Sequence, residues 1–409
     1  MNKGSTVTNN VLRARGVSAC KVVFIRRTTW LWTKNFHWKE YKMDISNTLN
    51  YCIEKMLDNV RNFGSLYPNA QSAGYVYGLQ DNTQDWTNGF YTGLLWLCYE
   101  LTGNVEFKQK AQEYTQDFQK RYDARAGLNT HDIGFLYSLS AVADYKVTKN
   151  EEAKKLAVGA ADLLCERYKP KGGFIQAWGD LDDDESCRLI IDCLLNIPLL
   201  FWAYEATGDA KYDIIARTHL YTTLNVIIRD DFTTHHTFYF DPETGKPLKG
   251  VQHQGYSDSS CWARGQAWGI CGTAYAYSYT KDSYLIEVFK NLLNCYTTRL
   301  PDDFIPYWDM IFTSGDEPRD TSAAAIALCG MLHMRKHTGL HEFDELIDKT
   351  LKSLCENYTT KDKQASNGLL TDGMYARTRN DNPECNIWGD YFFLEALMRL
   401  KNDAWAEYF

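Results

Sequence analysis

The sequence predicts an all-α fold, an (α/α)6 barrel of six inner and six outer helices with a small β excursion in its loops. Three observations carry that prediction. A short helix-stop signal recurs six times, the stretch before each signal is apolar nearly all round, and most signals are followed by an amphipathic stretch with one polar face.

The first signal is Tyr99-Glu100-Leu101-Thr102-Gly103-Asn104, and it returns at residues 145–150, 204–209, 277–282, 335–339 and 400–403. Gly, or Lys followed by Asn or Asp, after the last apolar turn suits a helix C-cap joined directly to a new N-cap. Residues 93–98 and 323–332 are apolar with small residues among them and read as buried helices. Residues 106–114 and 151–157 carry charges on one side and read as outer helices. An open α-solenoid is the competing architecture. Successive signals lie 46, 59, 73 and 58 residues apart, too uneven for a regular array, so the extra length is assigned to loops at the mouth of a closed barrel. Residues 237–240 alternate and then turn at Pro242-Glu243-Thr244-Gly245, which predicts the antiparallel excursion.

Composition supports one large core. The 409 residues are 44% apolar and 23% charged, as in folded globular proteins. Nine Lys and Arg against one acid, Glu40, give residues 1–42 a charge of +8 and leave −16 on the remainder. The apolar stretch 22–25 is too short for a signal-peptide core of ~7–15 residues. Residues 1–42 are therefore expected to be a disordered appendage or a start-site artefact, and 43–409 the catalytic domain. The acidic body argues against nucleic acid as a partner. No run of about 18 apolar residues predicts a membrane span. Twelve Cys without a CxxC pair suggest free thiols in a reducing, cytoplasmic setting, and a monomer or weak homo-oligomer is expected.

Counting back from each stop signal by ~16 residues, which is ~24 Å of helix, reaches a polar and aromatic cluster at the head of each inner helix. These clusters are 86–88, His131 with Asp132, Asp192 with Asn196, 262–266, 319–322 and 386–390. Six such heads at one rim would build a concave site with a few polar groups in aromatic walls. For Asp132, Asp320 and Asp390 the competing role is simple helix capping. Asp192 differs because it lies within the apolar run 189–200, where burial would disfavour its ionised form and suit it to general-acid work. Asp132 is the natural second carboxylate. His235, His236 and His253 lack the spacing of a metal set, so no metal and no cofactor is expected. There is no GxSxG, Walker or GxGxxG motif to support serine-nucleophile, phosphoryl-transfer or dinucleotide chemistry.

Four stretches, 131–135, 189–196, 253–269 (HQGYSDSSCWARGQAWG) and 386–391, closely resemble the unsaturated glucuronyl hydrolases of glycoside hydrolase family 88, and the match runs from about residue 45 to the end. The resemblance implies removal of the 4,5-unsaturated uronic acid that polysaccharide lyases leave at the non-reducing end of an oligosaccharide. It assigns Asp192 to protonate C4 of the vinyl ether while activating water for C5, and Asp132 to orient the sugar. It places His131, Trp86, Asn88, His236, Gln254 and Trp268 around the unsaturated ring, with Arg264 near the acid or the uronate carboxylate. Trp262, Tyr375 and Trp388 are further stacking candidates. Arg377 and Arg379, on the loop before the last inner helix, either meet a carboxylate or sulfate on the adjoining sugar or belong to a solvated loop. A pectin-directed unsaturated rhamnogalacturonyl hydrolase, a two-histidine sugar epimerase and a non-catalytic saccharide-binding protein are the alternatives.

Overall fold

The computed structural model describes residues 44–409 except Asn380, and the basic segment 1–42 lies outside the described residues. The chain opens with α1 (Ser46–Asn62), followed by α2 (Asn88–Thr102) and α3 (Val105–Asp123). Next come α4 (Ile133–Tyr137), a π-helical turn Ser138–Val142, α5 (Ala143–Thr148) and α6 (Glu151–Glu166). Then follow α7 (Cys193–Asn196), α8 (Pro198–Thr207), α9 (Ala210–Ile227), α10 (Ala263–Thr280) and α11 (Tyr284–Thr297). The chain finishes with α12 (Thr321–Thr338), α13 (Asp344–Asn357) and α14 (Ile387–Lys401). Two inner rods are composite. One runs α4–π-turn–α5; the other breaks at Ile197 because Pro198 has no N–H to return to Leu194, and restarts as α8.

The inner ring closes in chain order: α2 packs on α4, α4 on α7, α7 on α10, α10 on α12, α12 on α14, and α14 returns to α2. With α1, α3, α6, α9, α11 and α13 outside, this is the (α/α)6 barrel. Burial follows the predicted division. Outer α3 buries Phe107, Ala111, Tyr114 and Phe118, a stripe at helical spacing, whereas inner α12 is buried without interruption from Thr321 to Met334. Small residues let the inner helices meet closely: a Cβ on Gly330 would stand 2.8 Å from the Cα of Cys271, so α12 crosses α10 nearly backbone to backbone.

The stop signals behave as their composition requires. Gly103, Lys149, Gly208, Lys281 and Gly339 all take the left-handed conformation, and Asn104, Asn150 and Asp209 then cap the next helix, accepting the N–H of Glu106, Glu152 and Lys211. The sixth departs: Asn402 is extended, and the following residues fold back so that the Phe409 ring stacks against Phe392 and Tyr275 among the inner helices. Two-residue pairs β1 (Tyr67–Pro68) with β2 (Leu79–Gln80) and β3 (Tyr168–Lys169) with β4 (Phe174–Ile175) brace loops. The predicted excursion is present as β6 (Thr237–Phe240) against β7 (Pro247–Val251), and it gains an unpredicted third strand, β5 (Arg188–Ile190). The eleven described cysteines are free thiols, and no described helix is long and apolar enough to cross a membrane.

Candidate active site

Strand β5 corrects the reading of Asp192. The apolar run containing it is a strand, a turn and then a helix, and the turn aims Asp192 out of the core. Ile191 gives its N–H to the carbonyl of His236, ending the strand, and Asp192 follows at the head of α7 with its side chain 18% exposed rather than sealed in apolar surroundings. Asp132 stands at the corresponding place on α4. Neither carboxylate caps its helix.

The buried imidazole of His131 lies between them, its Nε2 3.2 Å from Asp192 Oδ1 and 3.5 Å from Asp132 Oδ1. Burial works against the imidazolium, but the two carboxylates outweigh it and lift the His131 pKa above its ordinary value. Asp132 is pushed up to about 6, by desolvation first and by the Asp192 charge in the same direction, with His131 and the hydroxyl of Thr130 pulling the other way. Thr130 Oγ1 donates to Asp132 Oδ2 at 2.7 Å. The raised values of His131 and Asp132 place two proton-exchanging groups beside Asp192, as general acid/base chemistry requires.

A cavity of about 680 Å³ opens over the trio and is walled by Trp86, Trp262, Tyr375, His236, Gln254 and Arg264. Nine of the twelve sequence-predicted residues thus meet in one place. The other three do not reach it. Asn88 is buried and secures its own loop, accepting from Gln80 and donating to Asp81 and Asn82. Trp268 packs between Phe135 and Phe392 in the core. Trp388 stacks at 5.3 Å behind Trp86, so it backs the wall without forming it.

Arg264 reaches the cavity with its hydrogen-bonding capacity already engaged. One terminal nitrogen donates to Asp320 and the Met374 carbonyl, the other to Gln254 Oε1 and the Tyr375 carbonyl. Its guanidinium also lies 4.4 Å over the Trp262 ring. It therefore orients Gln254 and Trp262 and holds the backbone at Tyr375, instead of extending as a free arm to a substrate carboxylate. His236 donates to or accepts from Thr237 Oγ1 at 2.6 Å, and burial pushes its pKa down to about 3, so it meets the cavity as a neutral ring.

The sequence reasoning missed the mouth. Trp178, 47% exposed, and Arg188 stack with the guanidinium 3.6 Å from the indole centre, and Arg188 also donates to Tyr239. An arginine heading an apolar run was a visible signal for Arg188; nothing local marked Trp178. Arg379 lines the cavity, whereas Arg377 does not. His131, Asp132 and Asp192 offer donors within 4.8 Å of one another, a spacing a small cation would accept, as do His333, His337 and Glu407 at the far end. At the far end Glu407 is already engaged by Arg399 and Lys336, whose charges oppose a cation.

Residues 64–400 match the family model for Glycosyl Hydrolase Family 88. The chain is 46% identical over 374 residues to an unsaturated chondroitin disaccharide hydrolase of Streptococcus agalactiae, spanning 90% of this chain and 94% of that one. It is 42% identical over 353 residues to the unsaturated glucuronyl hydrolase of Bacillus sp. GL1, spanning 84% and 93%. The crystal structure of an unsaturated glucuronyl hydrolase from Streptococcus agalactiae superposes with a TM-score of 0.85 at 46% identity, over 89% of this chain and 94% of that one. With that match, the closed helical ring and two uncapped carboxylates at its mouth, this chain is a glycoside hydrolase belonging to family 88.

Proposed function

We propose that the enzyme removes a 4,5-unsaturated glucuronic acid from the non-reducing end of lyase-generated chondroitin- or hyaluronan-type oligosaccharides. The observation that carries the reading is the pair of carboxylates flanking His131, free of capping duty and open to an aromatic-walled cavity. Asp192 gives its proton to C4 of the vinyl ether, and the resulting carboxylate takes a proton from the water that adds at C5. The hemiketal so formed opens and releases the next sugar, leaving Asp192 protonated again, so no covalent enzyme intermediate is needed. Asp132 and His131 hold the sugar and tune the charge beside the acid. Trp86, Trp262 and Tyr375 offer ring faces to the sugar, and neutral His236 and Gln254 supply uncharged polar contacts. Support for the glycosaminoglycan class comes from the relatives named for chondroitin disaccharides and glucuronyl groups. At the mouth, Trp178, Arg188 and Arg379 suit a following sugar that carries negative charge. A cytoplasmic setting and a monomeric or weakly associated state complete the reading, in keeping with the free thiols.

The test is loss of the ultraviolet absorbance of the conjugated uronate on lyase-generated hyaluronan and chondroitin disaccharides, sulfated and unsulfated. Decay with the parent and not with Asp192→Asn is the expected result. No decay on any of these substrates overturns the proposal.

A further inference from the structure

The carboxylates of Asp132 and Asp192 stand on different inner helices, so something must fix one against the other. Besides His131, which lies between the two carboxylates, a second buried side chain links the helices that carry them. Asn196, the last residue of α7 and 1% exposed, reaches across to α4. Its Oδ1 accepts the N–H of Phe135 at 2.8 Å, and its Nδ2 faces Asp132 Oδ1 at 3.5 Å and the Asp192 carbonyl at 3.3 Å. The neighbouring backbone allows this reach only because residue 134 lacks a side chain: a Cβ on Gly134 would stand 2.3 Å from the Asn196 Cα. The head of α4 and the end of α7 therefore touch backbone to backbone, with one amide hydrogen-bonded to both.

We propose that Asn196 is a positioning residue for the reaction, its amide setting the separation of Asp132 from Asp192 and giving the Asp132 carboxylate its hydrogen-bond donor from α7. This rests on the acid/base reading of those two residues. An acceptor on one side of the amide ties the helices together, and a donor on the other supports negative charge on Asp132. Other charges also face Asp132: His131 beside it, Asp192 from the head of α7, Arg167 at the end of α6 and Arg121 on α3. Thr130 also donates to Asp132, at Oδ2; replacing Asn196 removes the donor that comes from α7 and leaves that hydroxyl and those charges in place.

The two functions of the amide separate experimentally. Asn196→Asp keeps the oxygen that Phe135 uses and replaces the donor by an acceptor facing Asp132; Asn196→Ala removes both. For Asn196→Asp, kcat is expected to fall by roughly tenfold to a hundredfold, with KM within about threefold. Its pH–kcat profile is expected to move to higher pH by about one unit, the direction a second carboxylate imposes on Asp132. Asn196→Ala should move the profile in the same direction and also lower the melting temperature. If both variants keep the parent profile and lose activity only in proportion to unfolded protein, Asn196 is merely structural and the inference fails. Asp192→Asn is run alongside: if that variant stays active, the acid/base reading itself falls, an outcome distinct from an unmoved profile for the Asn196 variants.

Discussion

The heads of α12 and α4 carry the same residue type in the same place of the repeat and put it to opposite uses. Asp320 at the head of α12 is extended, at φ −128° and ψ 92°, so its Oδ1 lies over the helix and accepts the N–H groups of Ser322 and Ala323 while Oδ2 meets Arg264 at 3.2 Å. Asp132, at φ −64° and ψ −1°, is already helical, and Asp192 at the head of α7 is the same, at φ −66° and ψ −10°. Capping needs an extended N-cap residue to bring the side chain over the first amides. A helical residue at that position throws its carboxylate outward into the cavity. Asp390 shows a third outcome: one turn inside α14, it accepts from Leu370 and Tyr77 and burial pushes it up to about 7, away from the cavity. Backbone conformation at the helix head, rather than residue type, separates structural from chemically available aspartates.

The largest effect that would sharpen this contrast is on catalysis. Asp192→Asn is expected to lower kcat by about 10²–10⁴-fold with an almost unchanged melting temperature, since the side chain caps nothing; a large loss of stability instead would break the comparison. Asp320→Ala should do the reverse, destabilising by about 3–5 kcal/mol in denaturant titration because it leaves Arg264 buried without its carboxylate and α12 without its cap.

Asp132→Asn tests the pH side. Because the folded-state pKa is raised to about 6, the ionised form is the unfavourable one in the fold. The stability tied to Asp132 is therefore fully present below the unfolded value of 3.8 and is lost as pH rises through about 6. The neutral variant should exceed the parent by about 1–3 kcal/mol at pH 8, with the advantage vanishing in acid; equal stabilities at both pH values would remove the strain assigned to the site. The smallest effect belongs to the opposite end of the barrel. Asp209→Ala should cost about 1 kcal/mol through loss of the α9 cap and leave kcat and KM untouched.

The barrel was legible in the chain because its signals are local. Five of the six stop signals form left-handed caps, since a Gly or Lys after an apolar turn, followed in four of the five by Asn or Asp, meets hydrogen-bonding needs within a few residues. Asp132, His131 and Asp192 were legible for the same reason, as polar residues at the heads of apolar helices. Strand β5 was not, because its apolar run reads equally as buried helix and only pairing with β6, about fifty residues on, decides the matter.

Helix number, their alternation between core and surface, and the rim at which the polar residues gather thus follow from hydrophobic period and capping, both readable along the chain. Which of those residues face the cavity does not follow from them. That Arg264 is engaged by Asp320, Gln254 and the carbonyls near Met374, that Trp268 and Trp388 lie behind the wall, and that Trp178 stacks on Arg188 at the mouth all depend on contacts between distant segments. Side-chain direction at a helix head is set by two backbone angles that the packed neighbours impose, and only the closed barrel supplies those neighbours.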